Sequence, residues 1–251
     1  MVVGNQMRFF FRLFPIIILV FSCSPKSNSS QANPTKPNPP KETCDTVAKT
    51  NPPKEVHNIS YPFNGKLDQG VFDSKHYQNK YFGFSIDAPD ANWTVLNREQ
   101  YAARIKSNLT ALNASDSASK KSENNLHNLF TIRKNQQRAA FQSISFTGEG
   151  LEKIPDVTNA LEYIKWTDKF VADHLSSGFP KYKVLSLDSG MLGNREFLLS
   201  IWKIERSPGI VYFQKTYTAQ FGKYVLNVIE NYQSHEDSLE NEKILSTIKW
   251  K

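Results

Sequence analysis

Apolar and polar residues alternate along much of the chain after residue 76. Phe82, Phe84, Ile86 and Ala88 alternate with Gly83, Ser85 and Asp87, the period-two pattern of a strand with one face buried. Pro89 ends that strand, and Trp93 to Leu96 starts another. Asn97 can cap a helix in which Tyr101, Ile105, Leu109 and Leu112 fall on one face. The polar stretch from Asn113 to Asn125 predicts an exposed loop. Two strands are expected next, Leu129 to Lys134 and Phe141 to Phe146, with Ile144 and Phe146 on a common face.

The longest helical pattern follows Pro155. Asp156 or Thr158 can cap a helix over Asn159 to Leu175, with Leu161, Ile164, Val171 and Leu175 as its core-facing stripe, and Gly178-Phe-Pro180 stops it. Four strand-like segments come next: Lys183 to Asp188, Arg195 to Ile204, Ile210 to Phe221 and Tyr224 to Tyr232. The turns between them contain Gly190 and Gly193, Gly209, and Gly222, which supply positive φ. Such short connections make sequential strands antiparallel neighbours. Ser234 with Asp237 predicts a capping box for a final helix ending near Trp250. The fold class is therefore α+β: an antiparallel sheet flanked by helices.

The first sixty residues read differently. From Ser22 to Ser60 there is no Phe, Tyr or Trp, and seven of the 13 prolines lie between Pro25 and Pro53. Ordering such backbone costs roughly 1–2 kcal/mol per residue, and this stretch has little apolar surface to offset it. Asn-Pro-Pro-Lys occurs at 38–41 and again at 51–54, a low-complexity echo rather than a structural repeat. As a flexible coil ~35 residues span roughly 30–35 Å, and about 110 Å in full polyproline extension. Ahead of it, Arg8 and Arg12 precede the apolar run Leu13 to Phe21, which ends at Ser22-Cys23. A charged start, a short apolar run and a small residue form an export signal, and the run falls short of the about 20 residues that span a bilayer. Translation from Met1 or from Met7 gives the same pattern. The expected organisation is a signal peptide at 1–22, a disordered linker at 23–60 and one α+β domain at 61–251.

Val20-Phe21-Ser22-Cys23 resembles a bacterial lipobox. The resemblance implies that Cys23 becomes the mature N-terminus and the lipid attachment site. One acyl chain binds a membrane only marginally, at about 0.8 kcal/mol per buried methylene, so three chains anchor it firmly. Ser24 rather than Asp follows, which by the enterobacterial sorting rule implies the outer membrane of the cell envelope. A thioether at Cys23 leaves Cys44 a lone thiol, open to an intermolecular bridge or without a role; ordinary cleavage would leave Cys23 a plain thiol. Further on, Tyr77-x-Asn79-x-x-Phe82-Gly83-Phe84-Ser85-Ile86, then Pro89 and Trp93, a middle helix, a meander and a terminal helix resemble a PsbP-like domain. The family is named for an extrinsic photosystem II subunit, and its members mostly bind partners or assist their assembly. The resemblance implies an antiparallel sheet between helices; it carries over no functional residue.

The formal net charge is +7, but the positive residues are spread and no nucleic-acid recognition motif accompanies them. Partners are expected to be the membrane, through the N-terminal lipid, and an envelope protein or polymer, with no nucleic acid. No catalytic, metal-binding or cofactor-binding residues are expected. His57, His76, His127 and His174 stand apart from other ligating residues, and His235-Glu236-Asp237 suits a helix start. There is no Gly-x-Ser-x-Gly elbow and no phosphate-cradling glycine loop. Asp188 and Glu196 flank a turn, as solvated carboxylates do. Tyr212, Gln214, Thr216, Thr218 and Gln220 form one face of a strand, opposite Phe213, Tyr217, Ala219 and Phe221. That polar face either docks a partner or is an ordinary sheet face, one set packing under helices and the other meeting water. The favoured function is a non-catalytic envelope lipoprotein. The alternatives are a carrier of an apolar ligand, needing a cavity of roughly 300–1,000 Å³, or a small hydrolase with His127 or His174 beside a carboxylate and a nucleophile.

Overall fold

The computed structural model describes residues 67–73, 75–97, 99–100, 126–135, 142–175 and 181–251. The signal peptide, Cys23, Cys44, the linker, the 101–112 helix, the 113–125 loop and the Gly178-Phe-Pro180 stop lie outside them. The described strands are β1 (Val71–Asp73), β2 (His76–Asn79), β3 (Phe84–Asp87), β4 (Trp93–Leu96), β5 (Leu126–Lys134) and β6 (Ser143–Gly150). After helix α1 (Ala160–Leu175) come β7 (Lys181–Leu192), β8 (Arg195–Ser207), β9 (Ile210–Phe221) and β10 (Tyr224–Tyr232). Helix α2 (His235–Leu245) and the short β11 (Lys249–Trp250) close the chain.

The strands form two sheets rather than one. The main sheet has seven antiparallel strands in the order β4-β5-β6-β10-β9-β8-β7. The second has four, in the order β1-β2-β3-β11. The small sheet packs on one face of the large one, and the seam between them is the main core. Phe130 and Phe146 stack at 4.4 Å, Phe84 lies on Phe146 at 5.4 Å, and Tyr77 meets Phe130 at 4.0 Å. Gly148 leaves room for Phe82, since a Cβ there would meet its Cζ at 3.0 Å. Helix α1 covers the other face of the large sheet.

Sequence expectations hold for most elements, and the departures have physical causes. The Tyr77–Phe84 segment is a hairpin rather than a continuous strand from Phe82. Asn79 Oδ1 accepts from Phe82 N–H at 2.9 Å, and Gly83 turns the chain at φ 69°. Phe82 is nevertheless fully buried, because the turn aims it into the core. Asn97 and Gln100 exchange reciprocal hydrogen bonds of 2.9 Å, the cap expected there. At α1 the capping acceptor is Asn159, whose Oδ1 receives Glu162 N–H at 2.9 Å, not Asp156 or Thr158. Thr158 instead donates its N–H and hydroxyl to Glu162. The Ser234–Asp237 capping box is present, both bonds at 3.1 Å. Its helix ends at Leu245, short of Trp250, because the last residues return as β11 to pair with β3.

Candidate functional site: a cleft under helix α1

The face of the large sheet beneath α1 is unusually polar for a covered surface. Ser145, Thr147, Thr216, Thr218 and Asn227 all point to this side and are buried. Side-chain hydrogen bonds make that burial tolerable for all of them but Thr147, whose hydroxyl has no partner among the described residues. Tyr163, on the inner face of α1, donates its hydroxyl to Glu149 at 2.7 Å and accepts from Asn227 Nδ2 at 3.2 Å. Asn227 Oδ1 in turn accepts from Thr218 Oγ1 at 2.8 Å. Burial and the Glu149 charge push the Tyr163 hydroxyl well above its usual range, so it stays a neutral donor.

Toward β7 the packing loosens into a cleft of about 30 Å³. Ile164, Val171, Trp202 and Ile204 supply its apolar wall. Tyr182 stands edge-on to Trp202, ring centroids 6.3 Å apart, and the Trp202 indole N–H is engaged by Ser200 Oγ at 3.3 Å. Two residues of its lining carry a buried polar atom without a hydrogen-bond partner among the described residues: Asp168 Oδ1 and the Tyr182 hydroxyl. Loss of water pushes the Asp168 carboxyl up to about 6, and burial raises the Tyr182 phenol as well. The cleft is water-sized, since a single water needs about 10–15 Å³ by the same kind of measure. It gives no room to the apolar cargo of a carrier.

The strand face singled out in the sequence is the floor of this cleft. Gln214, Thr216 and Thr218 line it, and Tyr212 is fully buried at its margin beside Trp202 and Ile204. That corrects the docking reading of this face: α1 covers it. The opposite set does not meet water as a whole either, because Tyr217, Ala219 and Phe221 are buried in the seam with the small sheet. His127 lies on that opposite side, edge-on to Tyr224 at 6.2 Å, away from the cleft. Asp188 and Glu196 do not meet: they oppose Leu199 and Met191, three rungs apart in the β7–β8 ladder. His76 pairs with Asp87 at 2.8 Å on the exposed hairpin. Among the described residues no group of three His, Cys, Asp or Glu could hold a metal ion, and no helix is long and apolar enough to cross a membrane. Sequence reasoning missed Asp168 because the helical stripe of large aliphatic residues does not include it.

A second feature lies beside the cleft. Strand β7 is an edge of the large sheet, twelve residues long. Val184, Leu185 and Met191 on it are 40 %, 45 % and 60 % exposed. The register shifts between Val184 and Ser186, and Lys183 stands directly opposite Lys203.

Comparison with known protein families finds no match, and none of the curated proteins matches the chain. Among solved structures, the fold is similar to the solution structure of cyanobacterial PsbP (CyanoP) from Synechocystis sp. PCC 6803. The TM-score is 0.44 at 11 % identity, over 75 % of this chain and 99 % of that chain. That protein belongs to the family which the Tyr77–Trp93 segment resembles.

Proposed function

We propose that the chain is a non-catalytic lipoprotein of the cell envelope, held by acyl chains on Cys23, whose domain binds an envelope protein along strand β7. The carrying observation is the edge itself. A strand edge presents unpaired N–H and C=O groups that an extended segment can complete, while alternate side chains add specificity. Natural domains commonly shorten or charge such edges. Here Val184, Leu185 and Met191 remain exposed along one. The bulge near Leu185 and the neighbouring Lys183 and Lys203 disfavour pairing of two copies, since antiparallel docking would bring like charges together. A different protein is the better-suited occupant. The Val20–Cys23 segment and the Pro-rich stretch after it support the anchor and the tether, which let the domain work away from its membrane.

Two measurements test the two halves separately. Palmitate labelling is expected for the wild type and absent for Cys23→Ala; equal labelling overturns the anchor. A photo-crosslinker at Leu185 is expected to capture a discrete envelope protein that the same group at Lys243 on α2 does not. Val184→Lys should abolish that adduct. Equal capture at both positions overturns β7 as the docking edge.

A further inference from the structure

The unpaired carboxylate in the cleft points to a ligand of its own, distinct from the segment proposed for the β7 edge although Tyr182 of β7 helps line the cleft. Among the described residues Asp168 is the one carboxylate lining the cleft, and no Lys, Arg or His side chain lines it. Four acids elsewhere on the described surface have a basic partner. Glu240 bonds Lys134, Glu242 bonds Lys215 at 2.6 Å, Glu152 reaches Lys223 at 3.7 Å, and Asp87 has His76. Asp168 has none of these, and its Oδ1 is a buried acceptor without a donor. Leaving such an atom unpaired costs roughly 1–3 kcal/mol, more for a charged group, and a donor brought to it recovers that cost. In the same lining the Tyr182 hydroxyl is a second unmatched group, able to accept an N–H. The rings of Tyr182 and Trp202 stand nearly perpendicular, 84° apart, and form an aromatic corner of the kind that favours a cation. Val171 and Ile204 complete an apolar lip.

We propose that this cleft binds a primary ammonium group on a short apolar stem. The head would give one N–H to Asp168 and one to Tyr182, with the stem against Ile204 and Val171. The size limit excludes bulkier heads: about 30 Å³ accepts a group the size of one or two waters, and an ammonium is that small. An anion would face Asp168 with no compensating charge, and a neutral alcohol would leave the carboxylate unneutralised. The same chemistry has two sources, a free alkylamine or the lysine side chain of a bound peptide.

The test uses the full chain in detergent micelles with 5-fluorotryptophan, whose four fluorine resonances report Trp93, Trp166, Trp202 and Trp250 separately; Trp202→Phe assigns the relevant one. The probes are n-butylammonium, its neutral counterpart n-butanol, and an otherwise uncharged, blocked pentapeptide with a central lysine. A shift of the Trp202 resonance by butylammonium but not butanol, weakened roughly tenfold or more by Asp168→Asn, supports a free amine. A shift by the lysine peptide alone, lost in the same variant, supports a side-chain ligand. Tyr182→Phe should weaken either one, and the other three resonances show that both variants are folded. No shift with any probe, an equal shift with butanol, or binding unchanged in Asp168→Asn overturns the proposal and leaves the cleft to water.

Discussion

The indole of Trp250 donates its N–H to the carbonyl oxygen of Leu192 at 2.7 Å, tying the penultimate residue of the chain to the tip of the β7–β8 hairpin. The same ring packs at 5.4 Å from Phe84, 5.5 Å from Phe197 and 6.0 Å from Phe221, and Arg195 lies over it at 4.9 Å. Arg195 also donates to the Lys251 carbonyl at 2.8 Å. Gly193, at φ 61°, makes the turn that brings Leu192 here, and a Cβ on it would press on Trp250 Nε1 at 3.1 Å. The chain end is thus a closing strap between the two sheets.

Removing that strap should be costly. Trp250→Ala is expected to lose about 3–5 kcal/mol of unfolding free energy, the usual range for deleting a large aromatic from packed surroundings. Trp250→Phe keeps most of the ring contact and loses the bond to Leu192, so about 1–2 kcal/mol is expected. Urea unfolding followed by circular dichroism separates the two. Equal losses for both variants would show that the hydrogen bond, not the ring, holds the strap.

Asn79 explains why the Tyr77–Phe84 segment is recognisable at all. It takes Phe82 N–H on its oxygen and gives its amide to the Tyr77 hydroxyl at 3.2 Å and the Asp68 carbonyl at 3.3 Å. Tyr77 in turn donates to the Gln69 carbonyl at 2.6 Å. Asn79→Ala strands several buried groups, and a loss of about 2–3 kcal/mol is expected in thermal or urea unfolding. Asn79→Asp keeps the acceptor but buries a charge and sets a carboxylate oxygen against the Asp68 carbonyl, so at neutral pH it should cost at least as much as the alanine. The motif is a folding device.

Local chemistry wrote much of this fold plainly into the sequence. Alternation at Phe84–Ile86, Ile144–Phe146 and along β9, glycines at the three hairpin turns, and the Ser234–Asp237 box are each readable within a few residues. The second sheet was not, because its last strand is only Lys249 and Trp250, and nothing local marks two residues as a strand. Its pairing with β3 crosses the whole domain. The cleft was hidden for a similar reason. Tyr163, Thr167 and Asp168 sit beside the aliphatic stripe of α1, and only the polar strand facing them makes them an interior. The polar face of β9 was legible as a face, but what covers it was not.

The Tyr163 hydroxyl gives that interior a measurable signature. It links Glu149 on β6 to Asn227 on β10 from above. Tyr163→Phe keeps the ring but leaves Glu149 and Asn227 one partner short in a dry place, so a loss of about 2 kcal/mol is expected. Hydrogen exchange at the α1 amides should speed up more than exchange in β2 and β3, which belong to the other side of the sheet. Uniform acceleration would mean that the hydroxyl supports global stability and not the docking of α1.

Glu230 offers a test in pH. It is fully buried on β10, directly across the ladder from Lys215 and beneath α2. Burial pushes its carboxyl up from 4.5 to about 7, with the Lys215 charge opposing part of that rise. Between those two values the folded chain keeps a proton that the unfolded chain has released. Its contribution to stability is therefore greatest at low pH and is lost as pH rises through about 7. Glu230→Gln removes the penalty of the buried charge while Lys215 retains Glu242. The variant should be more stable than wild type at pH 8, by roughly 2–3 kcal/mol. The gain should shrink below pH 7 and vanish near 4.5. Urea midpoints of the two proteins across that range give the difference directly, free of the other titrating groups that both share. A gap that stays constant from pH 4.5 to 8 would mean that Glu230 is ionised throughout, with Lys215 as its true counter-ion.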